Sequence, residues 1–179
     1  SRGSEMCIRD RGQMNPQITP LMPVLVSPWL SIHVSLIMMS YALLAFIMLN
    51  GILALCLRKK ESENNVSGND AIQDNRIEQL TLVSRLLLYP ATFFLGAGIF
   101  LGAVWANVSW GRYWAWDPKE VWALITFLVY GVAFHSQSLR IFRKPLFFHI
   151  YMILAFLTVL MTYFGVNYVL GGMHSYANA

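Results

Sequence analysis

The side chains with the capacity for chemistry fall into two groups: four histidines, His33, His135, His149 and His174, and a tryptophan-rich run from Trp110 to Trp122, W-G-R-Y-W-A-W-D-P-K-E-V-W. A neutral imidazole is the commonest side-chain metal ligand, and tryptophan offers a broad, flat apolar surface with one polar edge. The run holds four of the chain's six tryptophans within thirteen residues. Its second half encodes a helix start: Asp117 suits the N-cap, Pro118 the first helical position, and Glu120 the reach back across the cap. The aromatic half is therefore a loop, or a short lying helix, that feeds an apolar helix. An interfacial aromatic belt would account for tryptophan and tyrosine at such a place. It would not account for the interleaved Gly111, Arg112 and Asp117.

What must position these residues is a set of apolar helices. With 179 residues, 56% hydrophobic and only 12% charged, the chain is too apolar for an ordinary soluble domain and long enough for a handful of spans. The expected fold class is all-α, a polytopic membrane helix bundle. Four transmembrane helices are predicted at about 29–57, 86–104, 121–139 and 146–166, each near or above the roughly 20 residues that cross a bilayer core. A hydrophilic, flexible loop is predicted at 58–85, with a short helix over Ile77–Arg85 as an alternative for its last part, and the tryptophan-rich loop at 105–120. Residues 1–28 read as an extended leader held out of helix by Pro16, Pro20, Pro23 and Pro28, with 1–12 set aside as a possible scar or fragment end. Gly98 and Gly102 form a G-x-x-x-G pair suited to close contact with a neighbouring helix. Cys7 and Cys56 match neither a disulfide framework nor C-x-x-C; Cys56 is expected to be a small buried residue, and any thiol chemistry must use a partner's sulfurs.

Charge distribution gives sidedness. Eight of the thirteen basic residues, Arg58, Lys59, Lys60, Arg76, Arg85, Arg140, Arg143 and Lys144, fall in the 58–85 loop and the 140–144 turn. The positive-inside rule makes those segments cytoplasmic or stromal, so the formal charge of +4 reports orientation and not nucleic-acid binding. His33, the tryptophan loop and His174 then share the outer face. His135 falls about five residues before Arg140, roughly 7 Å inside the opposite boundary; an ionisable ring at that depth is a functional-site candidate, with a hydrogen-bonded structural histidine as the alternative. His149 is expected at the interface, and His33 alone would also read as an interfacial helix-end histidine.

The run W-G-R-Y-W-A-W-D resembles the "WWD" signature, W-G-x-x-W-x-W-D, of the haem-handling membrane proteins of cytochrome c assembly. Together with L-V-S-P-W-L-S-I-H-V and Y-F-G-V-N-Y-V-L-G-G-M-H-S-Y, it is most similar to the CcsA/ResC type of system II, over about Pro23 to Tyr176. The resemblance implies that His33 and His174 are the outer axial ligands of a haem iron and His135 a ligand inside the membrane. It implies further that Trp110, Gly111, Trp114, Trp116 and Asp117 belong to the cofactor-binding signature. The implied substrate is haem b, and the implied reaction its thioether attachment to the C-x-x-C-H motif of an apocytochrome c. The implied partners are that apocytochrome, a CcsB/ResB-type subunit or fused domain, and a thiol-reducing protein. The implied setting is a bacterial plasma membrane or a thylakoid. The family's intramembrane site uses two histidines and only His135 has a place here, so the chain reads as the C-terminal part of a larger synthase or one of its subunits. A b-type membrane electron carrier and a haem exporter without ligase activity are the rival readings.

Overall fold

A computed structural model describes residues 28–63, 70–137 and 139–170. Its helices are α1 (Pro28–Glu63), α2 (Asp70–Trp110), α3 (Pro118–Val132) and α4 (Pro145–Leu160). Two 3₁₀ turns, Ala133–Gln137 and Arg140–Arg143, join α3 to α4, and a π-helical segment, Met161–Leu170, continues α4. The leader 1–27, Cys7 and His174 lie outside the described residues.

The frame is an antiparallel pair. Along α1, Ser40, Leu44, Ile47, Gly51 and Ala54 are buried; along α2, Ile77, Thr81, Ser84, Leu88, Ala91, Leu95 and Gly98 are. Both series step by three and four residues, the spacing that keeps one seam of a helix on its partner. Cross-helix hydrogen bonds follow the same line: His33 Nδ1 to Gly98 O at 2.7 Å, Ser40 Oγ to Ala91 O at 2.8 Å, and Asn50 Nδ2 to Ser84 Oγ at 3.4 Å. Small residues let the backbones approach closely. The G-x-x-x-G pair does what its spacing predicts, because Gly98 packs on Ile37 and Gly102 on the His33 ring.

α4 lies over the middle of this pair, where a Cβ on Gly51 would come 3.2 Å from His149 O and from Ile153 Cγ1. Leu44, Ile47, Leu88, Tyr130, Phe142, Phe148 and Met152 form the core between α1, α2, α3 and α4. Tyr151 donates its hydroxyl to Val129 O at 2.7 Å, and Thr126 Oγ1 stands 3.1 Å from Thr162 Oγ1, so α3 is tied both to α4 and to the π-helical segment. Around the outside, Phe46, Leu49, Leu86, Phe93, Phe100 and Leu154 are exposed. A surface of this kind suits hydrocarbon and would be an aggregation liability in water. α1, α2 and the α4 continuation are long and apolar enough to cross a membrane, and the protein is a polytopic helical membrane protein.

Three expectations change. The 58–85 segment is not an extended flexible loop in its described part: α1 runs on to Glu63, and α2 already begins at Asp70. The polar stretch hides the seam residues Ile77, Thr81 and Ser84, and burying them, Ser84 beside Asn50 of α1 and Thr81 against His149 of α4, stabilises helix in a stretch that is otherwise polar. At 36 and 41 residues, the two helices reach about 54 and 61 Å, roughly twice a bilayer core. α2 likewise continues through Trp105 to Trp110, shortening the expected loop from its front. Second, the 121–139 helix loses its α geometry at Val132; the α-helical α3 has 15 residues, about 22 Å. His135 there has φ −81° and ψ 22°, and Ser136 follows it, a residue type whose side chain competes for backbone hydrogen bonds. Third, Cys56 is exposed, because it falls between the seam position Ala54 and the helix end.

Candidate functional site

Each residue of the tryptophan-rich run has a distinct place. Gly111 ends α2 with φ +72°, its N–H donating to Asn107 O at 2.8 Å; this is the left-handed C-terminal glycine that lets a helix stop. Asp117 begins α3 as its N-cap, accepting from Lys119 N at 3.3 Å. Glu120 completes the capping box from inside the helix. Its Oε2 accepts from Asp117 N at 3.3 Å and also from Ala115 N at 2.8 Å. One carboxylate thus holds the last turn of the loop onto the helix it feeds. Asp117 is buried, 6% exposed, with its carboxylate turned to the helix it caps. Trp116, 73% exposed, sits between them in the left-handed region at φ +57°. A non-glycine residue there costs on the order of 1–3 kcal/mol and persists only where its surroundings over-determine it. The double anchoring by Glu120 supplies that constraint.

Edge-to-face pairing orders the aromatic rings. Trp110 packs on the buried Trp105 with centroids 5.0 Å apart, and Trp114 meets Trp116 at 6.0 Å. Trp114 then turns inward. It lines a cavity of about 180 Å³ together with His33, Tyr41, Trp105, Lys119 and Glu120, closed from the C-terminal side by Thr162 and Tyr163. Five chain segments converge on this cavity: α1, α2, the loop, the first turn of α3 and the π-helical segment. π-helical turns are rare and frequently mark functional sites. Lys119 precedes the apolar run that starts at Val121; burial lowers its ammonium pKa, and the neighbouring Asp117 carboxylate partly offsets this.

The structure therefore brings together His33 and Trp114, with Gly111, Trp110 and Asp117 fixing the loop around them. Trp116 remains outward. Arg112 is exposed and does not line the cavity, whereas Lys119 does. His135 is not part of it: its ring is exposed at the far end of α3, about 22 Å along the helix from Glu120.

Sequence reasoning missed Tyr41, Tyr113, Glu120, Thr162 and Tyr163 as cavity residues. For Tyr41 a signal existed, since positions 33, 37 and 41 share one helix face. Thr162 and Tyr163 carried none, because their facing depends on a π-helical winding that periodicity does not announce. His149 is enclosed by protein, 1% exposed, and its Nε2 stands 2.9 Å from Thr81 Oγ1. That hydroxyl already donates to Ile77 O at 2.7 Å, so the imidazole Nε2–H donates and the hydroxyl oxygen accepts.

Residues 8–174 match the family model described as cytochrome C assembly protein. The chain is similar to Protein NrfI of Wolinella succinogenes, at 42% identity over 92% of this chain and 18% of that protein. It is also similar to cytochrome c biogenesis protein CcsA of Chlamydomonas reinhardtii, at 41% identity over 89% of this chain and 44% of the relative, and of Guillardia theta, at 36% over 88% and 56%. The chain thus spans from under a fifth to just over half the length of these relatives. The match runs through the α1–α2 pair and the cavity it helps to line, and the chain belongs to the cytochrome c assembly protein family, of the CcsA type.

Proposed function

We propose that this chain carries haem to the tryptophan-lined end of the bundle and takes part in its thioether attachment to apocytochrome c, as part or subunit of a larger haem lyase. The observation that carries the reading is a cavity lined together by His33, Trp114 and Lys119. Imidazole suits iron, an aromatic face suits a porphyrin, and a cation suits a propionate. About 180 Å³ is less than the roughly 300–1,000 Å³ of ordinary small-molecule pockets, so the cavity grips one part of so large a plate. The remainder of the plate would extend beyond the cavity, and His174 would be the other residue to hold its iron. Attachment is an addition: each cysteine S–H of the C-x-x-C-H peptide adds across a vinyl C=C, forming C–S and C–H bonds with no leaving group and no change in net oxidation. The protein's share is positional.

His135, exposed at the other end of α3, belongs to a separate inner site that receives haem before transfer, with a second histidine supplied by sequence beyond this chain. The α-helical run from Val121 and the 3₁₀ turn to Gln137 come together to about 28 Å, close to the about 30 Å of a bilayer core, so α3 makes the fourth crossing. The bias of basic residues then supports a cytoplasmic or stromal side for the basic ends of α1 and α2 and an outer side for the tryptophan loop. A CcsB/ResB-type subunit or domain and a thiol reductant complete the system.

The test is co-expression of the full-length protein with a C-x-x-C-H apocytochrome, followed by a stain for covalently held haem and a topology reporter near Ser67. Covalent haem on the apocytochrome and a cytoplasmic reporter are expected. Haem that stays on the membrane protein points instead to an electron carrier, haem released without attachment to an exporter, and an outward reporter overturns the sidedness.

A further inference from the structure

We propose that Gly98 and Gly102 of α2 are positioning residues for His33: the Gly98 carbonyl sets which nitrogen of the imidazole carries the proton, and the bare Cα of Gly102 sets where the ring lies. The inference rests on the reading of His33 as an iron ligand. A carbonyl oxygen only accepts, so the 2.7 Å contact between His33 Nδ1 and Gly98 O requires the proton on Nδ1. In a neutral ring the lone pair then resides on Nε2, the atom that would meet iron. Ligating histidines commonly have their second nitrogen fixed by a carbonyl in this way. The same oxygen receives the helical N–H of Gly102, so the anchor is itself held by α2.

The two glycines divide the work. A Cβ on Gly102 would stand 2.7 Å from His33 Cε1 and 2.9 Å from Nδ1, and a planar ring held by a hydrogen bond cannot yield without tilting. A Cβ on Gly98 would meet Ile37 Cδ1 at 2.6 Å and Cγ1 at 2.9 Å, the outer atoms of an aliphatic side chain that can change rotamer. Gly102→Ala therefore strikes the ligand, whereas Gly98→Ala strikes only packing beside it. A seam built for helix contact alone would make the two substitutions comparable.

The experiment uses the full-length protein. In its haem-free form, ¹⁵N shifts of His33 should show a protonated Nδ1 and an unprotonated Nε2. In the haem-loaded form, Gly102→Ala should lower haem per protein by about tenfold or more, the range seen when a ligand's outer partner is lost. It should also shift the ferrous spectrum, with added imidazole restoring it, while Gly131→Ala, where an added Cβ meets nothing within 4 Å, keeps the parental spectrum per haem. Protonated Nε2 in the parent protein, or a Gly102→Ala variant with parental occupancy and spectrum beside a responsive His33→Ala, overturns the inference alone. A His33→Ala variant with unchanged haem overturns the ligand reading and this inference with it. Should Gly102→Ala not accumulate, the ¹⁵N measurement on the parent protein still decides.

Discussion

The tryptophan end and the basic end of the α1–α2 pair each hold a histidine against α2, and they hold it by opposite nitrogens. At the tryptophan end His33 donates through Nδ1 to a backbone carbonyl and lines a cavity. At the basic end His149 donates through Nε2 to the Thr81 hydroxyl and is fully enclosed, beside a Phe148 ring that also carries the Arg85 guanidinium at 5.2 Å. Arg85 in turn donates to Phe142 O at 2.8 Å, locking the 3₁₀ turn before α4 onto α2. The same residue type thus does opposite work: one ring is presented, the other is consumed by packing. What separates them is the helix opposite. Glycines face His33, whereas Thr81 faces His149, which α4 carries into the bundle where it packs on Gly51 of α1.

The largest effect should come from breaking the tryptophan end. His33→Asn places an amide N–H near the former Nδ1, so the bond to Gly98 O and the helix pairing survive while the iron ligand is lost. Haem per protein should drop at least about tenfold, with protein level and thermal stability near parental, checked by haem absorbance against protein in detergent. A variant that keeps its haem would reduce His33 to a seam residue.

At the basic end the response should invert. His149→Ala removes a buried ring and should cost about 2–5 kcal/mol, the range for large-to-small core changes, with the spectrum of the haem that remains unaltered. His149→Gln keeps an N–H near Nε2 and should recover about 1 kcal/mol more than His149→Asn, which cannot reach Thr81. Denaturant or thermal unfolding of the three variants measures this order. A His149→Gln protein with a shifted haem spectrum would mean that the basic end also touches haem.

How much of this was legible depends on which pattern was consulted. The helix boundaries at Gly111 and Asp117 were written in turn and cap residues, and those local rules need no tertiary information. The heptad-like steps of α1 and α2 were equally present, at 33, 37, 40, 44, 47 in one and 77, 81, 84, 88, 91 in the other. They were obscured because small and polar residues, Ser40, Thr81, Ser84 and Ala91, fill many of the places where an apolar pattern is sought. A polar-rich stretch therefore read as loop when it was the end of a packed seam. The burial of His149 was not legible at all, since it depends on α4 crossing the pair at Gly51, and no local signal sets that angle.

Within the tryptophan end, Trp114 and Trp116 sharpen the contrast on a smaller scale. Trp114→Ala should weaken haem capture with the loop intact. For Trp116, backbone decides: Trp116→Val must enter the left-handed region and should cost about 1–2 kcal/mol, whereas Trp116→Gly relieves that strain and should be near neutral for folding. Comparing thermal stability with haem retention for the three variants tests this. Equal haem loss in Trp114→Ala and Trp116→Gly would mean that the exposed ring also contacts the porphyrin.

The smallest effect is expected at Asp117, where the resemblance assigned a cofactor-binding role and the structure gives a cap. Asparagine caps a helix about as well as aspartate, whereas alanine does not, the loss being about 0.5–2 kcal/mol. Glu120 still holds Ala115 N and the residue 117 N–H in either variant, because both donors are backbone groups. Asp117→Asn should therefore leave stability and haem retention within error of the parent, and Asp117→Ala should lower stability by about 1 kcal/mol with a proportionate loss of haem. The measurement is the pair of variants read side by side, melting temperature against haem per protein. If Asp117→Asn melts normally yet loses haem, the carboxylate charge itself serves the ligand, and the capping box is only how the loop holds it in place.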